Sequence, residues 1–245
     1  MGRKYDAAYL EKLRQLLAAP KEQGYEWLGC QPDEVVVDVG CGLGHDAAKL
    51  ARTGAIVWGL DINDALLAQA RSEYGHTVRF ENQSAQAMGF GNGTVDKMRL
   101  DRVLQHISDH DPVLAEAQRV LKPGGILQIT DTDYQSMSYF FPDGGVERKL
   151  TDAVTRRFKG SLALRVLPEK LKQFGFGAVR LALHQLLVYG FESADYLISM
   201  DEIIREDASM MALSESELGM WRNWRESGPC LLAVNLFVMQ AAKEN

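Results

Sequence analysis

Apolar and polar positions alternate along the chain in blocks that have the lengths of strands and helices. The β-branched runs "EVVVDVG" and "AIVWGLD" are typical of strands buried on both faces. Helical segments follow them and end in glycine, at Gly54 and at Gly75. Strands that alternate with helices of ten or more residues predict a parallel sheet with right-handed crossovers and helices on both faces. A ligand then belongs at the carboxyl ends of the strands.

This rhythm changes after about residue 136. Residues 178–189 predict a returning strand, and the spacing at 193–206 and at 214–226 predicts two helices, the second with a capping box of Ser214 and Glu217. The final run "CLLAVNLFVMQAA" predicts one more strand. A terminal strand pair of this kind adds an antiparallel edge to a parallel sheet, with the intervening helices as a cap over the ligand face.

Composition and charge limit the classes of partner that the chain is expected to bind. The net charge of -6 argues against nucleic acid, because phosphate neutralisation needs clustered lysine and arginine. No long apolar run and no secretory signal is present, so we expect a cytoplasmic protein without a membrane partner. Three cysteines without C-x-x-C spacing indicate structural thiols and no metal site. The sequence leaves a homodimer open.

Three glycines follow the first strand at alternate positions, Gly40, Gly42 and Gly44. A dinucleotide fingerprint needs its third glycine five residues after the first, and His45 stands there. Asp38 lies beside the turn and disfavours a phosphate, whereas a ligand that bears an ammonium group suits it better. An anionic ligand group would still be favoured at the start of the next helix.

The second strand ends in Asp61, where a carboxylate can accept hydrogen bonds from both hydroxyls of an adenosine ribose. An adenosine joined to a zwitterionic amino acid through a positively charged sulfur meets the demands of Asp61, Asp38 and the glycines together. That ligand is S-adenosylmethionine.

These residues carry a family resemblance. The stretches "VVDVGCGLGHDAAKLA", "VWGLDIN", "FENQSAQAMGF" and "DRVLQHISDHDPVLAEAQRVLKPGGILQITDTD" resemble class I S-adenosylmethionine-dependent methyltransferases, in the small-molecule branch similar to ubiquinone and menaquinone methyltransferases. The resemblance covers roughly 30–135 and implies an α/β, Rossmann-like fold: a seven-stranded, mostly parallel sheet with an antiparallel last strand. We expect a single domain over 1–245, divided into an N-terminal helix or lid (1–29), a cofactor-binding core (30–135), a substrate cap that includes the sixth strand (136–230) and the last strand (231–245).

The resemblance also implies the cofactor contacts. Those at the methionine tail would be Asp38, Gly40, Cys41, Gly42 and Gly44. Asp61 would bind the ribose and Ile62 would lie against the adenine. The family usually has an aspartate and a small residue at the adenine edge, where this chain has Ser84 and Ala85. Adenine recognition is therefore expected to depend on the Ala85 backbone. Leu100 and Asp101 fall where the family contacts the sulfonium end.

The candidates for catalysis and acceptor binding come from the ends of the fourth and fifth strands. His106 is a candidate general base or a packed side chain, and Asp101 a contact or a helix cap. Asp131 and Asp133 are candidates for substrate contact or strand-end capping. Tyr134 either stacks on an aromatic substrate or belongs to the core.

The function expected from these residues is in-line transfer of a methyl group to an oxygen, nitrogen or carbon atom of a small molecule. Two alternatives stay open. One is an S-adenosylmethionine-binding protein that catalyses a reaction without methyl transfer, such as a cyclisation. The other is a nicotinamide-dependent oxidoreductase, which the displaced third glycine disfavours.

Overall fold

A computed structural model describes residues 14, 16–158, 160, 165–207, 211–227 and 231–244. In the predicted N-terminal lid, residues 1–13 and 15 lie outside the described residues, and so does Cys230. Over the described ranges, no helix has the length and apolar character needed to cross a membrane.

Seven strands form one sheet in the order β3-β2-β1-β4-β5-β7-β6. The strands are β1 (Val35–Val39), β2 (Ile56–Asp61), β3 (Arg79–Asn82), β4 (Val95–Asp101), β5 (Leu121–Ser138), β6 (Phe176–Tyr189) and β7 (Leu231–Lys243). The described α-helices are α1 (Ala18–Leu28), α2 (His45–Ala51), α3 (Asp64–Tyr74), α4 (Asp111–Val120), α5 (Gly144–Arg157), α6 (Leu167–Gln173), α7 (Phe191–Ile198), α8 (Met200–Asp207) and α9 (Glu215–Ser227).

The pairing of the strands confirms the predicted fold class. Strands β1 to β5 pair in parallel with their neighbours, and only β7 runs antiparallel, to both β5 and β6. The last strand therefore lies inside the sheet, and β6 forms the edge. This order reverses direction between β1 and β4, which brings the carboxyl ends of β1, β2 and β4 around one crevice.

Several predicted boundaries shift in the structure. The helix predicted at 193–206 is two helices, because Ser199 takes a left-handed conformation at φ 54° and ends α7. Helix α4 begins at Asp111, with Pro112 in its first turn, where a missing N–H leaves no hydrogen bond unmade. The capping box is confirmed: Glu217 N–H donates to Ser214 Oγ, and Ser214 N–H donates to Glu217 Oε2.

The helices between β5 and β7 share one apolar cluster with the far ends of those strands, which we call the cap core. The rings of Trp221 and Trp224 lie 5.3 Å apart and pack against Phe141 and Phe191. Both tryptophans are less than a tenth exposed. Both rings therefore contribute to the packing of the cap core.

Candidate active site

A cavity of about 800 Å³ opens at the carboxyl ends of β1, β2 and β4. Eight of the residues singled out from the sequence line it: Asp38, Gly40, Cys41, Gly42, Asp61, Ile62, Asp101 and His106. They come from three strands and the segments that follow them, so the parallel sheet brings together residues that are far apart along the chain.

The glycine turn between β1 and α2 forms one wall. Gly44 has a φ of 76° and precedes the first residue of α2. A Cβ atom there would lie 2.6 Å from the ring of Phe80, so the position needs glycine for both backbone conformation and space. Gly44 itself does not line the cavity. The turn is fixed from the next strand, because Gly42 N–H donates to Asp61 Oδ2 at 2.9 Å.

Asp61 and Ile62 stand together at the end of β2. The other carboxylate oxygen of Asp61 accepts from Asn63 N–H at 2.9 Å, and this fixes the side chain at the cavity rim. Each carboxylate oxygen can accept a second bond, so the side chain can still receive ligand hydroxyls. Ile62 lies beside it at the cavity and is 75% exposed.

A buried arginine lies beneath the glycine turn. Arg99 on β4 is 2% exposed, and its guanidinium donates to Asp38 Oδ1 at 2.8 Å, to Asp46 Oδ2 at 3.0 Å and to Asp101. Burial favours the neutral guanidinium, but the three carboxylates outweigh it and raise the pKa of Arg99 well above its ordinary value. Arg99 therefore connects β1, the start of α2 and the end of β4 through hydrogen-bonded ion pairs.

Helix α1 contributes a second cation to this group. Lys21 Nζ donates to Asp101 Oδ2 at 3.0 Å and to Asp46. Tyr25, one turn later, donates its hydroxyl to Asp46 Oδ1 at 2.6 Å. Burial opposes ionisation of Asp46, but Arg99 and Lys21 prevail and lower its pKa. We call Lys21, Asp38, Asp46, Arg99 and Asp101 the charge cluster.

The charge cluster has one carboxylate more than it has cations. Asp38 is 1% exposed, and its Oδ2 atom has no hydrogen-bond partner among the described residues. Burial raises the pKa of Asp38 to about 6, although Arg99 opposes this. An unsatisfied buried carboxylate oxygen is costly, so a donor at this point would be bound well.

Residues that follow β4 form another part of the cavity wall. His106 ends a short 3-10 helix and is exposed toward the cavity, with Nε2 3.0 Å from the Gln105 amide nitrogen. Surrounding protein atoms and the nearby Arg102 lower its pKa to about 4. At neutral pH the imidazole is uncharged. Its ring lies 6.0 Å from that of Phe158.

The structure excludes the helix-cap interpretation of Asp101, and its contact with a ligand stays a prediction. It caps no helix, since the short helix that follows it begins after Val103. Its carboxylate instead pairs with Lys21 and Arg99. Burial would raise the pKa of Asp101, but these cations outweigh it and the pKa is lowered.

Six other predicted residues do not line this cavity: Ser84, Ala85, Leu100, Asp131, Asp133 and Tyr134. Ser84 follows β3 in a tight turn, where its Oγ accepts from Gln86 N–H at 3.2 Å, and Ala85 and Leu100 are buried in the core. Their roles toward a ligand stay predictions.

The three candidate residues on β5, Asp131, Asp133 and Tyr134, contact other groups of the protein. Asp131 accepts from Gln105 N–H and from Thr132 N–H, and burial raises its pKa to about 7. Asp133 pairs with Arg165 at 2.8 Å. Tyr134 is 6% exposed and stacks on Phe158 at 4.0 Å, behind His106. Strand-end capping and core packing describe these contacts; a substrate role stays a prediction.

The sequence interpretation missed Lys21, Tyr25, Asp46 and Arg99. A signal for Arg99 was present: Lys97 and Arg99 alternate with apolar residues on a strand that lies inside a parallel sheet, where a charge needs a partner. No comparable signal marks Lys21 or Tyr25, because their partners lie on elements far along the chain.

Residues 37–129 match the family model of a methyltransferase domain. An uncharacterised 37.1 kDa protein of transposon TN4556 from Streptomyces fradiae is 29% identical over 245 residues, covering 96% of this chain and 71% of that protein. The ubiquinone biosynthesis O-methyltransferase of Thiobacillus denitrificans is 34% identical over 116 residues, covering 46% of this chain and 50% of that enzyme. This chain thus aligns with only half the length of that enzyme.

Solved structures agree with the fold. A Bacillus halodurans protein described as a candidate methyltransferase has a TM-score of 0.69 at 19% identity, covering 93% of this chain and all of that one. Phosphoethanolamine N-methyltransferase 2 of Haemonchus contortus, solved with S-adenosylmethionine, has a TM-score of 0.60 at 20% identity, covering 93% and 53%. The [4+2]-cyclase SpnF has a TM-score of 0.58 at 20% identity, covering 92% and 81%. The resemblance inferred from the sequence is confirmed.

Proposed function

We propose that the chain is an S-adenosylmethionine-dependent methyltransferase that transfers a methyl group to a small-molecule acceptor, and the match of residues 37–129 to a methyltransferase domain supports this. The cofactor, when bound, supplies an electrophilic methyl group on a positively charged sulfur. The protein's part is to hold donor and acceptor in line at near-attack distance and to exclude water.

One observation carries this proposal: the unsatisfied Oδ2 of buried Asp38 beside the glycine turn. The charge cluster, with three carboxylates and two cations, is one positive charge short when all its groups are ionised. The ammonium group of a methionine tail supplies that charge and donates to Asp38. A phosphate would meet net negative charge at the same place.

The remaining cofactor contacts follow from this placement. We assign the ribose to Asp61, which stands at the rim with both oxygens oriented by backbone N–H groups. Exposed Ile62 supplies an apolar surface for the adenine. Gly40 and Gly42 let the ligand approach the backbone, and Ser84 and Ala85 are proposed as the adenine edge.

We propose further that residues 136–230 form a cap over the acceptor end and that 1–29 closes the site as a lid. Helix α1 supports the lid, since Lys21 already reaches the charge cluster. A cap of this kind excludes water during transfer and opens for product release.

We also propose a cytoplasmic protein that does not bind nucleic acid. A homodimer is proposed at the open edge of β6, where Leu181, Leu183 and Leu187 are each about half exposed on one face. Exposed apolar side chains on an unpaired strand edge favour association between copies.

Ligand-dependent unfolding tests the cofactor. We expect S-adenosylmethionine and S-adenosylhomocysteine to raise the Tm and NAD to leave it unchanged. Stabilisation by NAD alone would refute the proposal. The same preparations are then incubated with methyl-labelled S-adenosylmethionine and candidate acceptors. Methyl transfer moves the label to the acceptor. An enzyme that catalyses a cyclisation binds S-adenosylmethionine but leaves the label on it.

A further inference from the structure

We expect the acceptor beside the residues that follow β4. Arg102, Val103, His106 and Ile107 line the cavity there, and Leu17 and Arg14 also belong to its lining. Arg102 has a φ of 59°, a left-handed conformation that is costly for a residue with a side chain. The conformation is held by its N–H, which donates to Thr130 O at 2.7 Å. The fold thus fixes this arginine directly after β4.

The charge of Arg102 influences the pKa values of neighbouring side chains. Its positive charge is among the influences that lower the pKa values of His106 and Asp101, and it partly offsets the burial of Asp131. Arg102 also contacts other groups of the protein. A guanidinium has five N–H donors in a planar fork, so one edge can hold protein groups while another binds a carboxylate.

This end of the cavity is poor in proton acceptors suited to neutral pH. The pKa of His106 is about 4, and an acceptor that displaces water from the cavity would lower it further. Asp101 has a lowered pKa and is engaged by two cations. Asp131 has a pKa of about 7, but it is 1% exposed and faces backbone N–H groups. The described residues here therefore offer no well-suited general base for an acceptor that must lose a proton during transfer.

We propose that the acceptor is a small organic acid with an apolar body, that Arg102 binds its carboxylate, and that this carboxylate oxygen receives the methyl group. The proposal rests on the proposed function. A carboxylate is deprotonated at neutral pH and needs no base, and an apolar body suits Leu17, Val103 and Ile107.

The proposed step is balanced without a proton acceptor. A lone pair of the carboxylate oxygen forms the bond to the methyl carbon, the carbon–sulfur bond breaks, and its electron pair stays on the sulfur. The sulfonium becomes a neutral thioether, and the acid becomes a neutral methyl ester. Because the ester has lost the charge that Arg102 binds, the product is held less tightly than the substrate.

The first test uses the chemistry of the product. The protein is incubated with methyl-labelled S-adenosylmethionine and matched probes, phenylacetate with phenylacetamide and octanoate with octanamide. We expect label on the acids only, and we expect mild alkali to release it as methanol, as it does from esters but not from ethers, amines or methylated carbons. Alkali-stable label, label on the amides, or no label on either acid would overturn the proposal.

The second test uses binding and variants. Phenylacetate is titrated into the protein saturated with S-adenosylhomocysteine, and we expect Arg102→Gln to weaken its affinity about 30-fold, the effect of losing a charge-assisted bidentate bond. Arg52→Gln, an exposed arginine at the end of α2, is the matched control and is expected to behave as wild type. Equal phenylacetate affinity in wild type and Arg102→Gln would contradict the assignment.

The same variants separate this proposal from the proposed function. S-adenosylhomocysteine affinity is measured first for wild type and for Arg102→Gln, and we expect the two values to agree within twofold. A wild type that binds no S-adenosylhomocysteine refutes the proposed function itself. Normal S-adenosylhomocysteine binding without carboxylate methylation refutes only the inference about the acceptor.

Discussion

The charge cluster and the cap core border the same sheet but are held together by opposite kinds of contact. In the charge cluster, each side chain depends on named partners, and Arg99 alone binds three carboxylates. In the cap core, rings such as Trp221 and Phe141 contact several neighbours without a directional bond between them.

The two regions differ in the substitutions that they tolerate. Removing one partner from a buried ion cluster leaves an uncompensated charge, whereas apolar contacts tolerate changes that keep the volume. A fixed cofactor end beside a more adaptable cap therefore allows the acceptor to vary without disturbing the donor site. Substitutions in the two regions test this comparison.

The largest effect is expected from Arg99→Met, which leaves Asp38, Asp46 and Asp101 with Lys21 as the remaining cation. The loss of a buried ionic partner costs about 3–5 kcal/mol of unfolding free energy. Urea denaturation at pH 7.5 measures it, with exposed Arg52→Met as the control, expected within about 0.5 kcal/mol of wild type. A loss below 1 kcal/mol for Arg99→Met would mean that the cluster contributes little to the fold.

A smaller effect on stability, confined to the cap, is expected from Trp221→Ala. Loss of a buried ring costs about 3–5 kcal/mol of unfolding free energy, and we expect the lower end of this range. S-adenosylhomocysteine affinity should stay within twofold, measured by calorimetry at a temperature where the variant is folded. Met220→Ala on the same helix, at a 36% exposed position, is the control. A tenfold loss of ligand affinity would show that the two regions are coupled.

At the cofactor end, Asp61→Ala should weaken S-adenosylhomocysteine binding at least tenfold, about 1.4 kcal/mol, because two ribose hydrogen bonds and the link to Gly42 are lost. Calorimetry with circular dichroism checks both affinity and folding. Exposed Glu73→Ala on α3 is the control. Unchanged affinity in a folded variant would remove the ribose assignment.

The smallest effect is a pH dependence. With a pKa of about 6, Asp38 is mostly ionised at pH 7.5 and mostly protonated at pH 5.5. Since the ammonium group needs the ionised form, S-adenosylhomocysteine affinity should fall about fourfold between these pH values. Asp38→Asn should bind more weakly and lose this dependence. A variant that keeps the full pH dependence would assign the titration to another group.

The sequence was sufficient for most of the fold and for part of the site. The strand and helix segments and the glycine turn follow from local patterns, because they depend on residues close together in the chain. The seven-stranded, mostly parallel sheet with an antiparallel last strand follows from the family resemblance. Two of the carboxylates that bind Arg99 lie on β1 and α2, far along the chain from β4, and no local pattern pairs them with it. Asp131 and Asp133 were placed on the correct strand, but the direction of each side chain depends on Gln105 and Arg165.

The position of β7 inside the sheet also sets an order for folding. Strand β6 pairs with β7 and with no other strand, so the edge of the sheet cannot form until the segment from Leu231 onward has left the ribosome. The helices between the two strands are made first and have an incomplete surface to pack on. Until then their apolar faces are exposed to chaperones and to other nascent chains, so this half of the molecule is expected to be the more prone to aggregation during synthesis.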